Sequence, residues 1–387
     1  MAHTYDVIIV GGGIGGASLS YLLSGYGISN AVIERHPLPR YKACGGGLTP
    51  AAKALLPLDI REVIEEECDR ATLEFKTRVL AVKSSDGPVI SMVMRERLDL
   101  FLLQESCARG ARLYERCHFM EMKGSPGDLL VFGDKGSFRC KYLIGADGAQ
   151  SRVARKAGLS PPEPWVWALQ SEVYPTDPKT MERFLGTARF DIGFQGSGYS
   201  WSFPKRDHLS VGTGAVFERP SFLKMILWRY LKALDLGDFH IKRLKLQTVP
   251  FRRNWELRRD LPVILLGDAF GISDPISGEG MRFAIGSALL AARALIDLFD
   301  HPSEVTGSYL ESLKKLYHED LFCAYEIARS FYSKPWLLKF LAILFGRAFV
   351  SRYYEVVSGG MRYKVFKEKF PLRILLNREA DHEGPRG

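Results

Sequence analysis

The hydrophobic pattern at the start of the chain predicts strands that alternate with a helix. Residues 5–10 form a short apolar run, which is typical of a buried parallel strand. After a glycine turn, residues 15–26 carry apolar side chains at helical spacing, and residues 31–34 predict a second strand. A strand, a turn, a helix and a strand over roughly 30 residues indicate a βαβ unit with a parallel sheet.

The remaining pattern predicts a β-rich domain inserted into this first domain. It indicates a loop at 40–50, strands in 71–94, a helix at 96–109, a strand at 141–148, short strands over 165–250, a strand at 261–268, a helix at 279–299 and helices after 303. We expect an α/β domain (1–70, 95–160 and 251–302), a β-rich substrate domain (71–94 and 161–250) and a helical, basic C-terminal part (303–387).

The glycine turn has the spacing Gly11-x-Gly13-x-x-Gly16. Its glycines permit a tight turn, close approach to a pyrophosphate, and packing of the helix on the strand. The N-terminus of the helix presents free N–H groups to phosphates, and Glu34, 23 residues after Gly11, can bind ribose hydroxyls. This turn predicts a Rossmann-like dinucleotide site but does not choose between NAD and FAD. The candidate binding residues are Gly11, Gly13, Gly15, Gly16, Glu34 and Arg35.

Two later motifs bear on that choice. One is the segment 145–153, and the other is Gly267-Asp268-Ala269 followed by Pro275, Gly278 and Gly280. With the N-terminal turn, and in this order, they resemble the FAD-dependent flavoprotein family typified by the aromatic hydroxylases. The resemblance implies FAD as cofactor, Asp268 on its ribityl chain, and a helix start at Gly278–Gly280 that stabilises the reduced flavin. The implied FAD-binding residues are Arg95, Asp147, Gly148, Asp268, Gly278 and Gly280.

Two further segments resemble the geranylgeranyl reductase branch of that family. They are the loop Pro39–Leu48, which contains Cys44-Gly45-Gly46-Gly47, and the segment Gly198–Lys205, with Tyr199, Trp201 and Phe203 at alternate positions. The resemblance implies reduction of carbon–carbon double bonds of a geranylgeranyl or polyprenyl group on a lipid, a quinone or a chlorophyll-type substrate. The glycine loop would lie close to the flavin, with Cys44 and Gly45 against it. The implied substrate pocket consists of Gly46, Gly47, Tyr199, Trp201, Phe203 and Pro204.

An isolated alkene has no carbonyl group to accept charge, so proton addition followed by hydride capture is the plausible order. Cys44 is the candidate proton donor, because a thiol with a pKa of about 8.5 is mostly protonated at neutral pH. Tyr199 and Trp201 are the candidate aromatic partners of a transient cation. Each of these residues also has a second interpretation. Cys44 would then be an incidental buried cysteine in a glycine loop, and Tyr199 and Trp201 would be ordinary core aromatics.

Three function classes compete at this point. The first is the prenyl reductase, and the second is an FAD-dependent monooxygenase that hydroxylates or epoxidises an apolar substrate. The third is an electron-transfer or quinone-linked flavoprotein. The chain shows no second glycine turn of this kind, so the external reductant, NADPH or a ferredoxin, is open.

The positive charge is concentrated near the C-terminus. Residues 334–378 contain ten Lys or Arg and two acids, within a total net charge of +9. The apolar run 335–350 is too short to span a bilayer. It predicts either a core helix or a helix on an anionic membrane surface, so that residues 330–387 would make a peripheral membrane contact.

Other features limit the location and the partners. Six scattered cysteines without C-x-x-C spacing, and no signal peptide, indicate a cytoplasmic protein with no metal site, placed at most on the inner face of the membrane. We expect no nucleic-acid partner, since no recognition motif accompanies the charge.

Overall fold

A computed structural model describes residues 2–160, 162, 164–216, 220–257 and 261–369. The strands are β1 (His3–Thr4), β2 (Val7–Val10), β3 (Asn30–Glu34), β4 (Gly47–Leu48), β5 (Ile64–Cys68), β6 (Arg70–Phe75), β7 (Arg78–Ser84), β8 (Ile90–Val93), β9 (Arg112–Glu115), β10 (Phe119–Ser125), β11 (Asp128–Gly133), β12 (Gly136–Cys140), β13 (Tyr142–Gly145), β14 (Pro164–Pro175), β15 (Thr187–Asp191), β16 (Gly198–Pro204), β17 (Leu209–Ala215), β18 (Phe239–Pro250) and β19 (Val263–Leu265).

The helices occupy the connections and most of the C-terminal part. They are α1 (Ile14–Gly25), α2 (Pro50–Ala54), α3 (Arg95–Ala108), α4 (Arg152–Lys156), α5 (Pro178–Glu182), α6 (Pro220–Ala233), α7 (Met281–Asp297), α8 (Pro302–Leu313), α9 (Glu319–Ser333), α10 (Pro335–Val357) and α11 (Tyr363–Lys369).

A parallel sheet with the strand order β19-β13-β2-β3-β9 forms the centre of the first domain. Helices α3 and α7 pack against α1, and every residue of β2, β3 and β13 is buried. Strands covered on both faces are mainly apolar, which is why β2 and β13 read as continuous apolar runs. Strand β3 is apolar in its centre and has buried Asn30 and Glu34 at its two ends. The predicted Rossmann-like fold is confirmed.

A mixed sheet with the order β18-β14-β17-β16-β15-β6-β7 forms the second layer. Within it, β15 and β6 pair in parallel, while the other neighbours are antiparallel. Strands β6 and β7 lie in this sheet, whereas β8, from the same predicted 71–94 region, pairs with β4 and β5. The domain boundaries stay a prediction.

Strands β10 to β12 form a sheet with β1 that the sequence pattern did not indicate. From residue 303 to residue 369 the chain is mainly helical, as predicted, with short connections between the helices. Residues 370–387, part of the predicted basic region, lie outside the described residues.

In the described part of the chain, no helix is both long enough and apolar enough to cross a membrane.

Candidate active site

A cavity of about 390 Å³ lies between the parallel sheet and the mixed sheet. Its lining begins at Gly13 and Gly15, where the strands of the parallel sheet end, and continues along β16 to residues of α10. In open α/β sheets, ligands bind at the carboxyl ends of the strands. The cavity is therefore both the candidate cofactor site and the candidate substrate site.

The glycine turn has the geometry that a phosphate site requires. Gly11 has a φ of 108°, and a Cβ atom there would lie 2.4 Å from the Ala146 carbonyl oxygen. A Cβ atom on Gly16 would lie 2.1 Å from the Gly11 carbonyl oxygen, so the helix can approach the strand only through a glycine. Helix α1 starts after Gly13 without a side-chain cap, which leaves its first N–H groups free for an anion.

Glu34 lies beside the turn and is 3% exposed. Its Oε2 accepts hydrogen bonds from the Gly12 N–H at 3.0 Å and from Arg40 Nε at 3.1 Å. Arg40 also donates to Asp99 at 3.1 Å, and Arg95 binds Asp99 with two hydrogen bonds. The turn is thus fixed by a buried cluster of charges. Arg35 is exposed.

Asp147 and Gly148 follow β13. Oδ2 of Asp147 accepts hydrogen bonds from the N–H groups of Arg152 and Val153, and burial raises the pKa of its carboxyl group. Gly148 lines the cavity. Asp147 therefore shapes the turn and the start of α4, while Gly148 lies at the cavity surface.

Asp268 follows β19, as predicted, and lines the cavity with Gly278 and Gly280. Helix α7 starts after Gly280 and has no side-chain cap, so its first N–H groups are also free for negative charge. Lys42 Nζ lies 3.8 Å from Asp268 Oδ2, and burial lowers the pKa of this lysine. The sequence reasoning missed Lys42, although it lies in the glycine loop.

The loop with Cys44 packs closely on its surroundings. A Cβ atom on Gly46 would lie 2.0 Å from the Val93 carbonyl oxygen, and one on Gly45 would lie 2.9 Å from the Phe203 ring. The Cys44 sulfur accepts a hydrogen bond from the Gly46 N–H at 3.4 Å. These contacts explain why glycines follow Cys44.

Lys205 is the anchor of this loop. It is fully buried, and its Nζ donates a hydrogen bond to the Gly45 carbonyl oxygen at 2.8 Å. Burial lowers the pKa of Lys205 to about 8. The sequence reasoning missed this role, because the two residues are 160 positions apart in the chain.

Aromatic side chains of β16 form one wall of the cavity. Tyr199, Trp201 and Phe203 all line it, as their alternation predicted. Trp201 Nε1 donates a hydrogen bond to Gln170 Oε1 at 2.9 Å, and the Tyr199 hydroxyl donates to the Ser277 carbonyl oxygen. Pro204 was predicted for the pocket, but it directly follows Phe203 and so points to the other face of the strand.

Most of the predicted site residues thus line one cavity, and the others do not contact it directly. Gly13, Gly15, Cys44, Gly45, Gly46, Gly47, Arg95, Gly148, Tyr199, Trp201, Phe203, Asp268, Gly278 and Gly280 line the cavity. Gly11, Gly16 and Glu34 support the turn, as described above. Helix α10 adds Phe349 and Tyr353 to the wall, which the sequence reasoning did not assign.

Comparison with known proteins supplies the family. A family model described as "FAD binding domain" matches residues 4–309. A chloroplastic geranylgeranyl diphosphate reductase of Oryza sativa is 31% identical over 314 residues, which are 75% of this chain and 66% of the rice protein. This chain belongs to the geranylgeranyl reductase family of FAD-dependent flavoproteins. It spans about two thirds of the length of that plant relative.

Two further relatives are similar to this chain over most of their length. A digeranylgeranylglycerophospholipid reductase 2 of Methanothermobacter thermautotrophicus is 28% identical over 79% of this chain and 81% of that protein. An uncharacterized protein of Methanosarcina barkeri is 27% identical over 85% of this chain and 84% of that protein.

Solved structures show the same fold. A geranylgeranyl bacteriochlorophyll reductase-like protein of Thermoplasma acidophilum has a TM-score of 0.78 at 22% identity, and the match covers 97% of this chain and all of that chain. A p-nitrophenol 4-monooxygenase of Pseudomonas putida has a TM-score of 0.71 at 18% identity, and the match covers both chains completely. Since reductase-like and monooxygenase structures share the fold, the fold alone does not assign the reaction.

FAD is the cofactor of this family, and the residues of the cavity fit it. Two helix starts that lack a side-chain cap among the described residues, at α1 and α7, border the cavity and would face the diphosphate and the flavin ring. Asp268 and Arg95 are cavity residues of opposite charge, and the glycine turn leaves room for close backbone contact. These groups would hold the cofactor in the cavity.

Proposed function

We propose that this protein reduces carbon–carbon double bonds of a geranylgeranyl or other polyprenyl group. The observation that carries the proposal is a continuous cavity from the glycine turn, past the Cys44 loop and the wall of Trp201 and Phe203, to α10. Its far part is lined by apolar and aromatic side chains, which suit a long hydrocarbon and offer little to a polar substrate. The prenyl group would be carried by a lipid, a quinone or a chlorophyll-type molecule.

In the proposed reaction, reduced FAD would supply a hydride from N5 when it is bound in the cavity. The residues of this chain would exclude water, stabilise charge and donate the proton. Apolar side chains exclude water from the prenyl group, and the faces of Tyr199 and Trp201 stabilise positive charge on the alkene. The proton comes from an acid in the cavity wall. Cys44, the donor predicted from the sequence, lines the cavity, and its role stays a prediction.

The electron donor is also part of the proposal. NADPH that binds transiently, or a ferredoxin, would reduce the flavin. Stopped-flow reduction of the FAD-loaded protein with each donor separates the two, because only the true donor should bleach the flavin at a rate that supports turnover.

The main alternative is a monooxygenase, because the p-nitrophenol enzyme has the same fold and the fold leaves the reaction open. Oxygen consumption in the presence of NADPH and a prenyl lipid discriminates between the two. A reductase should convert its substrate without oxygen, and the product should gain two hydrogen atoms for each double bond. A hydroxylated or epoxidised product that forms only with oxygen would favour the monooxygenase.

We also propose a peripheral membrane contact through α10. One face of this helix exposes large apolar side chains at helical spacing: Trp336 (66% exposed), Phe340 (53%), Ile343 (63%) and Leu344 (56%). Phe349 and Tyr353, further along the same helix, line the cavity. Exposed Arg347 and the positive charge of the segment suit an anionic lipid surface. A lipid-borne substrate could then enter directly from the membrane.

Replacing Trp336, Ile343 and Leu344 with Asn should weaken binding to vesicles by roughly 30-fold or more, because three large apolar groups no longer enter the lipid. Co-sedimentation with phosphatidylcholine vesicles that contain phosphatidylglycerol measures this, at low and high salt. The matched control replaces Phe222, Met225 and Trp228, which are exposed on α6, with Asn. Equal loss of binding in both variants, or no loss in the α10 variant, would contradict the proposal.

A further inference from the structure

Glu279 lies in the cavity wall at a position to which neither the sequence motifs nor the comparisons assign a role. It lies between Gly278 and Gly280, directly before α7. At this residue, the start of α7 adjoins the part of the cavity that is proposed to hold the prenyl group. A carboxyl group here is close both to the cofactor cradle and to the space proposed for the alkene.

The two oxygens of the carboxyl group have different surroundings. Oε1 accepts a hydrogen bond from Thr49 Oγ1 at 2.6 Å. Oε2 is buried and has no hydrogen-bond partner among the described residues. A buried carboxylate oxygen without a donor is costly, whereas a neutral O–H group at the same place costs much less. The arrangement therefore favours a protonated Oε2.

The neighbouring groups determine the pH range over which Glu279 keeps this proton. Thr49 faces Glu279 from the start of α2, Asp274 from the preceding loop, Arg282 from α7 and Tyr199 from β16. Burial raises the pKa of Glu279 to about 7, and Asp274 adds to the shift, while the Thr49 hydrogen bond and Arg282 oppose it. Near neutral pH the group can both give and regain a proton.

We propose that Glu279, rather than Cys44, is the acid that protonates the alkene, an inference that rests on the proposed function. The O–H bond at Oε2 breaks and a C–H bond forms at one alkene carbon. The other alkene carbon takes the hydride supplied by the reduced cofactor, so the alkene gains two electrons and the flavin loses two. The carboxylate is then reprotonated from solvent, and the external donor, NADPH or ferredoxin, restores the reduced flavin.

Glu279→Gln tests this step, because the amide keeps an oxygen for Thr49 but has no acidic proton. In anaerobic single turnover of the reduced holoenzyme with a geranylgeranyl lipid, the variant should react roughly 100-fold or more slowly. The wild-type rate should be highest at low pH and should fall as the pH rises above about 7. This fall should be absent in Glu279→Gln and present in Cys44→Ser. Glu279→Asp should be slow but should keep the fall.

The matched control is Glu65→Gln. Glu65 is a buried acid that pairs with Arg97 and does not line the cavity, so its variant should keep the wild-type rate and pH profile. A wild-type rate in Glu279→Gln would overturn the proposal. So would a fall near pH 7 that survives in Glu279→Gln and disappears in Cys44→Ser.

A second readout does not depend on turnover. Since the pKa of Glu279 is higher in the folded protein than its unfolded value of about 4.3, the wild type should lose stability relative to Glu279→Gln as the pH rises from about 4 to about 7. Above that range the difference should be constant. Urea unfolding at several pH values measures it, and a difference that does not change with pH would refute a protonated Glu279. If the wild type reduces no prenyl lipid, the proposed function fails, but this measurement still reports on Glu279.

Discussion

Gly16→Ala is expected to yield a protein that contains almost no FAD. A Cβ atom at this position would lie 2.1 Å from the Gly11 carbonyl oxygen and 3.1 Å from both Ile9 Cγ2 and the Ala146 Cβ atom. Helix α1 would have to move away from β2, and its first N–H groups would leave the phosphate position. We expect a loss of stability of about 3 kcal/mol and roughly 100-fold weaker FAD binding.

The ratio of flavin to protein absorbance, after purification and after titration with FAD, measures this effect. Gly87→Ala is the matched control: a Cβ atom at Gly87 meets nothing within 4 Å, and Gly87 does not have a positive φ. The control should bind FAD like the wild type. Full FAD content in Gly16→Ala would show that the turn does not hold the cofactor in the way described.

Asp99→Asn is expected to destabilise the protein by about 4 kcal/mol, because it leaves the buried Arg95 without its anion and Arg40 with Glu34 alone. Asp99 is fully buried, and it binds Arg95 at 2.9 and 3.0 Å and Arg40 at 3.1 Å. Arg40 in turn contacts Glu34 beside the glycine turn. The loss should therefore extend to the cofactor, and FAD should bind more weakly.

Urea unfolding of the FAD-bound protein measures the change in the free energy of unfolding. Asp128→Asn is the control, since Asp128 pairs with Arg139 at the surface and each side chain is 57% exposed. Surface pairs contribute little, so this variant should unfold like the wild type. Equal stability of the two variants would mean that the buried cluster does not support the turn.

The sequence was sufficient for the parts of the fold that are encoded locally. The buried strand β2, the glycine turn and α1 follow one another in the chain, and their pattern predicted the observed helix Ile14–Gly25 to within one residue. The helix predicted at 279–299 is observed as Met281–Asp297, within two residues at each end. Alternation along β16 correctly brought Tyr199, Trp201 and Phe203 to one wall.

The contacts that hold the site together were not predictable, because they join distant parts of the chain. Arg40 meets Asp99 across 59 positions, and Thr49 meets Glu279 across 230. Burial is also invisible in the sequence: the residues next to Glu279 do not indicate that one of its carboxyl oxygens has no hydrogen-bond partner among the described residues. The packing of α10 over the cavity likewise depends on the tertiary fold, since its aromatic residues also suit an ordinary core helix.

We propose above that the cavity beside the FAD site holds a prenyl chain whose double bonds the protein reduces. The most direct test is anaerobic incubation of the dithionite-reduced, FAD-loaded protein with a geranylgeranyl-bearing ether lipid, followed by mass spectrometry of the lipid. The account predicts a gain of two hydrogen atoms for each double bond, with matching reoxidation of the flavin, and no reoxidation by the fully saturated lipid. The proposed function would be contradicted if prenyl groups on lipid, quinone and chlorophyll-type substrates all remained unchanged while the flavin stayed reduced.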